Sequence, residues 1–75
     1  MAITKPHPLN RKLGKRLREV RENMLLSQGD AAGRVRVLRT SIINIEYGRQ
    51  NINVVLLAKF ARAYDVSMAS LLVDL

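Results

Sequence analysis

Seventy-five residues carrying a formal charge of +7 and no cysteine make one small domain at most. They exclude a disulfide framework, a thiolate metal site and a cysteine nucleophile. Apolar residues are 48% of the chain and aromatics 4%, so Leu, Ile, Val and Ala must fill the core, with Tyr47, Phe60 and Tyr64 its only large rings. No apolar run approaches the ~20 residues of a membrane span, and the N-terminus lacks a signal-peptide core. The expectation is a soluble, cytoplasmic protein.

Residues 1–8, MAITKPHP, hold two prolines and no periodicity. They read as a flexible arm, with His7 a solvated arm residue, ahead of one domain over residues 9–75. From Leu9 the pattern turns helical: Leu9, Leu13, Leu17, Val20 and Met24 fall on one stripe. Arg11, Lys15, Arg18 and Glu22 lie opposite, and Arg21 lies beside the stripe, close enough to be partly buried. Ser27 opens SQGD, a capping-box pattern that starts a second helix. Ala31, Ala32 and Val35 give that helix small contacts for close approach. The pattern breaks at 36–38, and a third helix runs through Tyr47 to a stop at Gly48. Asn53 caps a fourth helix with the core stripe Val54, Leu57, Phe60, Ala61 and Tyr64. Ser67 caps a short fifth carrying Met68, Leu71 and Leu72. No β-alternation persists, so the fold class is all-α, a compact bundle of five short helices.

The third helix carries the functional question. On a helical wheel Ile42, Ile45 and Glu46 cluster within roughly 100° of arc, leaving Arg39, Thr40, Ile43, Asn44 and Tyr47 on the complementary face. That face offers a guanidinium, a hydroxyl, an apolar side chain, a carboxamide and a phenol, which suit the base edges and thymine methyls of a DNA major groove. Taken alone, the same residues fit an ordinary amphipathic helix with a polar exterior. The charge is unevenly placed: residues 1–49 hold eleven of the thirteen Lys and Arg against four acids, and residues 50–75 are neutral. This suggests a polyanion-binding face and a separate packing or partner face.

From about Leu13 to Leu72 the sequence resembles the Cro/lambda-repressor (Xre-type) helix-turn-helix family. The resemblance rests on LGKRLREVRE, LSQGDAAGRV, RTSIINIEYGRQNI and LAKFARAYDVSMASLL together. It implies a five-helix lambda-repressor-like DNA-binding domain whose second and third helices form the DNA-binding pair, like small phage-type repressors and restriction–modification controller proteins. By resemblance, Arg21 pairs with Glu46 in a structural ion pair. Both lie at the edges of apolar stripes, where an unpaired charge would be costly. Arg39, Thr40 and Asn44 are the implied base-reading residues, and Ile43, on the same face of the helical wheel, is expected to join them. Gln28, Ser41, Tyr47, Arg49 and Asn51 are the implied contacts to the DNA backbone. Three positions depart from the family pattern: Arg36 stands where Gly usually makes the turn, Leu38 where Ser or Thr usually caps, and Ile43 where a polar residue is usual. A strained or reshaped turn and an uncapped third helix are the expected consequences.

The resulting expectation is a nucleoid-associated, sequence-specific transcriptional regulator, a repressor or autoregulator, binding a palindromic operator in double-stranded DNA as a homodimer. Leu56, Ala63, Met68, Leu72, Val73 and Leu75 are the candidate dimer interface, because one small monomer cannot cover all of that apolar surface. The alternative is a protein-interaction module, such as an antitoxin or adaptor, working through the apolar C-terminal half. No His/Cys/Asp constellation, phosphate-cradling glycine loop or paired carboxylates are present. No enzyme activity, metal, cofactor, small-molecule ligand or membrane association is therefore expected.

Overall fold

The structure is a computed structural model and describes residues 7–75. Five helices follow in order: α1 (Pro8–Asn23), α2 (Gln28–Val35), α3 (Arg39–Glu46), α4 (Val54–Ala63) and α5 (Met68–Leu72). α3 packs against both α1 and α2, α4 against α2, and α5 closes the bundle against α1 and α4.

Local chemistry sets most of the boundaries. Asp30 N–H donates to Ser27 Oγ and Ser27 N–H to Asp30 Oδ2, both at 3.0 Å, completing the capping box of α2. These bonds hold the Asp30 carboxyl below its ordinary range. Asn53 Oδ1 accepts from Leu56 N–H at 2.8 Å, and Ser67 Oγ from Ser70 N–H at 3.0 Å, so α4 and α5 begin at the expected caps. α1 begins one residue before the expected Leu9. Pro8 occupies its first turn and His7 caps it, Nδ1 accepting from Leu9 N–H at 3.1 Å. His7 and Pro8 therefore belong to the folded domain; the rest of the expected arm, residues 1–6, lies outside the described residues.

The core gathers Leu17, Val35, Ile42, Ile45, Phe60 and Leu71, all at 2% exposure or less. Phe60 and Tyr64 meet edge to face, ring centroids 5.6 Å apart. Two stripe assignments are corrected. Leu9 is 46% and Val54 72% exposed. In the first turn of α1 Asn10, 9% exposed, faces the bundle in place of Leu9. Val54 occupies the first turn of α4, at the edge of the arc defined by Leu57, Phe60, Ala61 and Tyr64.

Gly14 explains how α1 and α3 come so close. A Cβ on Gly14 would strike the carbonyl oxygen of Ile45 and sit 2.9 Å from that of Glu46, and both obstacles are backbone. Gly14→Ala is expected to cost about 1–3 kcal/mol in denaturant unfolding by forcing the helices apart. Gly33→Ala, which meets open space, should instead stabilise α2 by about 0.5–1 kcal/mol. Equal effects at both sites would remove close packing as the reason for Gly14.

Tyr64 is 2% exposed, and its buried hydroxyl has no hydrogen-bond partner among the described residues. Burial pushes the phenol up to about 12, from the ordinary 10. The folded state thus binds this proton more tightly than the unfolded chain. Its contribution to stability is complete below pH 10 and is lost as the pH rises towards 12. Tyr64→Phe should match or exceed the parent at neutral pH by about 1 kcal/mol, since it removes an unsatisfied hydroxyl. It should also lose less stability across the alkaline window. Paired denaturant titrations check both; a variant weaker at neutral pH would mean that the hydroxyl is satisfied.

Candidate nucleic-acid interface

α2 and α3 are joined by a turn that uses no glycine. Arg36 adopts the left-handed conformation (φ 64°), with its N–H donating to Ala32 O at 2.8 Å. A non-glycine residue there costs roughly 1–2 kcal/mol, so the turn keeps its shape under strain. α3 then starts at Leu38 with no side-chain cap, and Leu38 is 74% exposed. The helix ends where expected. Gly48 has φ +74°, and a Cβ there would lie 2.6 Å from Arg11 Cα, so both the turn and the contact with α1 require glycine.

Ile42 and Ile45 are fully buried and Glu46 is 7% exposed, which fixes the roll of α3 about its axis. Arg39 and Thr40 consequently stand in solvent at its N-terminal turn, with Ser41, Ile43 and Asn44 half-buried and Tyr47 exposed beyond them. The structure thus brings Arg39, Thr40, Ile43 and Asn44 onto one helix. Among the described residues no side-chain hydrogen bond occupies Arg39, Thr40 or Asn44, which leaves their donors and acceptors available.

Beneath this face lies the ion pair. Arg21 Nε donates to Glu46 Oε2 at 2.7 Å, its Nη2 to Glu46 Oε1 at 3.0 Å, and its Nη1 to Leu26 O at 2.8 Å. The bonds to Glu46 hold the Arg21 guanidinium above its ordinary value, against the opposing effect of burial. Gln28 joins this network, its Nε2 donating to Glu46 Oε1 at 3.3 Å. Buried charges are tolerated only when paired and hydrogen-bonded in this way. The network fastens the start of α2 and the end of α3 to α1. Between α2 and α3 opens a cleft of about 600 Å³ edged by Arg18, Ser27, Gln28, Arg39 and Tyr47.

The expected backbone contacts divide. Arg49 lies over the Tyr47 ring at 5.0 Å, an arrangement that orients a guanidinium while leaving its edge open. Asn51 is partly committed: its Oδ1 accepts from Asn10 Nδ2 at 2.6 Å and from His7 N–H at 3.2 Å, leaving its amide N–H groups to donate outward. Sequence reasoning missed this staple between the exit of α3 and the start of α1, and with it Arg11, whose backbone is pressed against Gly48. It also missed Arg16, which donates to Ser70 O at 3.0 Å and to Val73 O at 2.7 Å, capping the end of α5. Gly48 was a readable signal; the Asn10–Asn51 pair and the contact with Arg11 were not, because they join residues far apart in sequence.

The six candidate interface residues also divide. Leu72 and Val73 are 46% and 55% exposed, whereas Leu56, Ala63, Met68 and Leu75 are partly buried against the core. Among the described residues no group of three acidic, His or Cys side chains could hold a metal, and no helix is long and apolar enough to cross a membrane.

Residues 12–72 match the family model described as a helix-turn-helix domain. No curated protein matches the sequence. Among solved structures, the chain is similar to the restriction–modification controller protein C.AhdI from Aeromonas hydrophila. That likeness has 32% identity, 87% of this chain and 98% of the other covered, and a TM-score of 0.83. The clp gene regulator ClgR from C. glutamicum is similar at 28% identity, covering 89% of this chain and 87% of the other, with a TM-score of 0.84. SinR, a master regulator for biofilm formation solved in complex with DNA, is similar at 28% identity, covering 80% of this chain and 97% of the other, with a TM-score of 0.75.

Proposed function

The chain belongs to the helix-turn-helix domain family, and from that premise we propose that this DNA-binding transcription regulator is a repressor or autoregulator that reads a palindromic operator as a homodimer. The observation that carries the reading is the geometry of α3. Its inner face is locked by Ile42, Ile45 and the Arg21–Glu46 pair, while Arg39 and Thr40 stand exposed and Asn44 half-buried, their side chains free of hydrogen bonds among the described residues. A rigid helix presenting uncommitted bidentate donors and acceptors is what direct readout in a major groove requires.

Arg39 supplies two parallel donors suited to guanine O6 and N7, and Asn44 a donor and acceptor suited to adenine. Ile43 offers the apolar contact a thymine methyl favours. Ser41 on α3 itself, and Tyr47, Arg49, the outward amide of Asn51 and the cleft edge at Gln28 around it, contact phosphates, which position the protein without specifying sequence. SinR, solved with DNA and similar over most of this chain, supports DNA as the partner.

The homodimer uses the C-terminal end, where Leu72 and Val73 are exposed and Leu56, Met68 and Leu75 are partly buried against the core; Ala63 lies instead on the floor of a groove lined by Arg34, Arg36, Lys59 and Arg62. Arg16 holds that end in place through its bonds to Ser70 and Val73. Two copies related by a two-fold axis present two α3 helices to half-sites about one helical turn apart. Footprinting on the region upstream of the protein's own gene should reveal a protected site with two-fold symmetry, and sedimentation should give a dimer at tens of micromolar. Protection of a single half-site by a monomer would overturn the dimeric reading.

A further inference from the structure

The halves of the sequence differ in charge, but folding places cations from both halves together. At the C-terminal end of α2, Arg34 and Arg36 face Lys59 and Arg62 of α4 across a groove of about 440 Å³ floored by Val35 and Ala63. Lys59 and Arg62 also border a neighbouring depression of about 580 Å³ formed with Val54, Val55 and Ala58. Val54 and Val55 are 72% and 70% exposed. The ion pairs among the described residues are Arg18–Glu22 and Arg21–Glu46, and neither uses any of these four cations. Lys59 Nζ reaches only the backbone oxygen of Arg36, at 3.4 Å. Four cations thus surround one concave surface without a carboxylate, beside an uncovered apolar shelf.

We propose that this groove docks an acidic, apolar segment of a protein partner, its carboxylates between Arg34, Arg36, Lys59 and Arg62 and its apolar side chains on Val54, Val55 and Ala58. The charge selects an anionic occupant and the shelf selects among anions. A row of phosphodiesters would neutralise the cations but leave the two valines uncovered, whereas an acidic amphipathic segment covers both. A second copy of this chain fits poorly, because with thirteen basic and six acidic residues it would bring mainly like charge to the groove. The surface is also separate from the reading face. It shares no lining residue with the cleft between α2 and α3, and α2 places its two ends about 12 Å apart. A partner can therefore bind while α3 is occupied, and the proposal stands independently of what α3 reads.

The test uses the full chain and a synthetic amphipathic peptide of glutamate, alanine and leucine, with leucines spaced four apart, and a control with serine for leucine. Binding is followed by fluorescence anisotropy and by amide chemical shifts, with and without random-sequence duplex DNA. The expected result is saturable binding in both conditions, with shifts at Arg34, Arg36, Val54, Val55, Lys59 and Arg62. The serine control should bind at least about tenfold more weakly, as should the Arg34→Gln/Arg62→Gln and Val55→Ser proteins. All three substituted side chains are exposed, so the melting temperature should hold. Shifts centred on Arg39, Asn44 and Arg49 would overturn the proposal, as would equal binding of both peptides. So would displacement of the peptide by duplex DNA, or peptide-free shifts at Val54 and Val55 that grow with protein concentration.

Discussion

Glu46→Ala is expected to unfold far more easily than the parent protein, losing roughly 3–5 kcal/mol, because it leaves Arg21 charged and unpaired in the interior. The side chains of Glu46 and Arg21 are 2% and 10% exposed, and their closest contact is 2.7 Å. Removing the carboxylate strands two guanidinium donors and the carboxamide of Gln28, with only the Leu26 carbonyl still engaged. A domain of this size has a total stability of only about 5 kcal/mol, so the loss threatens folding at ambient temperature. Arg21→Ala should behave similarly, since it buries an unpaired carboxylate. Replacing both partners with apolar residues of similar volume should recover much of the loss, which separates the penalty of an orphaned charge from the worth of the pair itself. Thermal and denaturant melts decide. Single variants within a degree or two of the parent would mean that the pair contributes little.

Where the sequence was informative, the signal was local. Ser27, Asn53 and Ser67 cap helices because a short polar side chain reaches a backbone N–H three residues on, a relation contained within four residues of sequence. Gly48 ends α3 for a similarly local reason. The burial of Ile42 and Ile45, and the pairing of Arg21 with Glu46, could be anticipated from helical periodicity together with the family resemblance. Arg36 and Leu38 also behave as their departure from the family pattern implies: Arg36 takes the left-handed turn and Leu38 provides no cap.

What stayed hidden depends on tertiary partners. His7 sits between two prolines and read as solvent-exposed arm, yet its imidazole caps α1 and its amide N–H reaches Asn51, forty-four residues away. Gly14 gives no local sign of its role, because the obstacle to a side chain is the backbone of α3. Leu9 and Val54 satisfy a helical stripe, but no neighbour covers either side chain. Dividing the charge at residue 49 separated Arg34 and Arg36 from Lys59 and Arg62, which the fold brings to one groove.

The most direct test of the account is whether α3 reads bases while its flanks hold phosphates. Parent, Asn44→Ala and Arg49→Ala proteins should be titrated on footprinted and scrambled duplexes across a salt series. Asn44 stands on the proposed reading face, and its side chain makes no hydrogen bond among the described residues. Its truncation should therefore cost about 1–3 kcal/mol on the specific site, up to roughly a hundredfold in affinity, and leave scrambled DNA almost unaffected. Arg49 stacks on Tyr47 at the exit of the helix, where the proposed docking brings it to a phosphate. Its truncation should weaken both duplexes alike and reduce the slope of log K against log salt by about one. If instead Asn44→Ala and Arg49→Ala lower affinity for both duplexes by the same factor, α3 is not the reader.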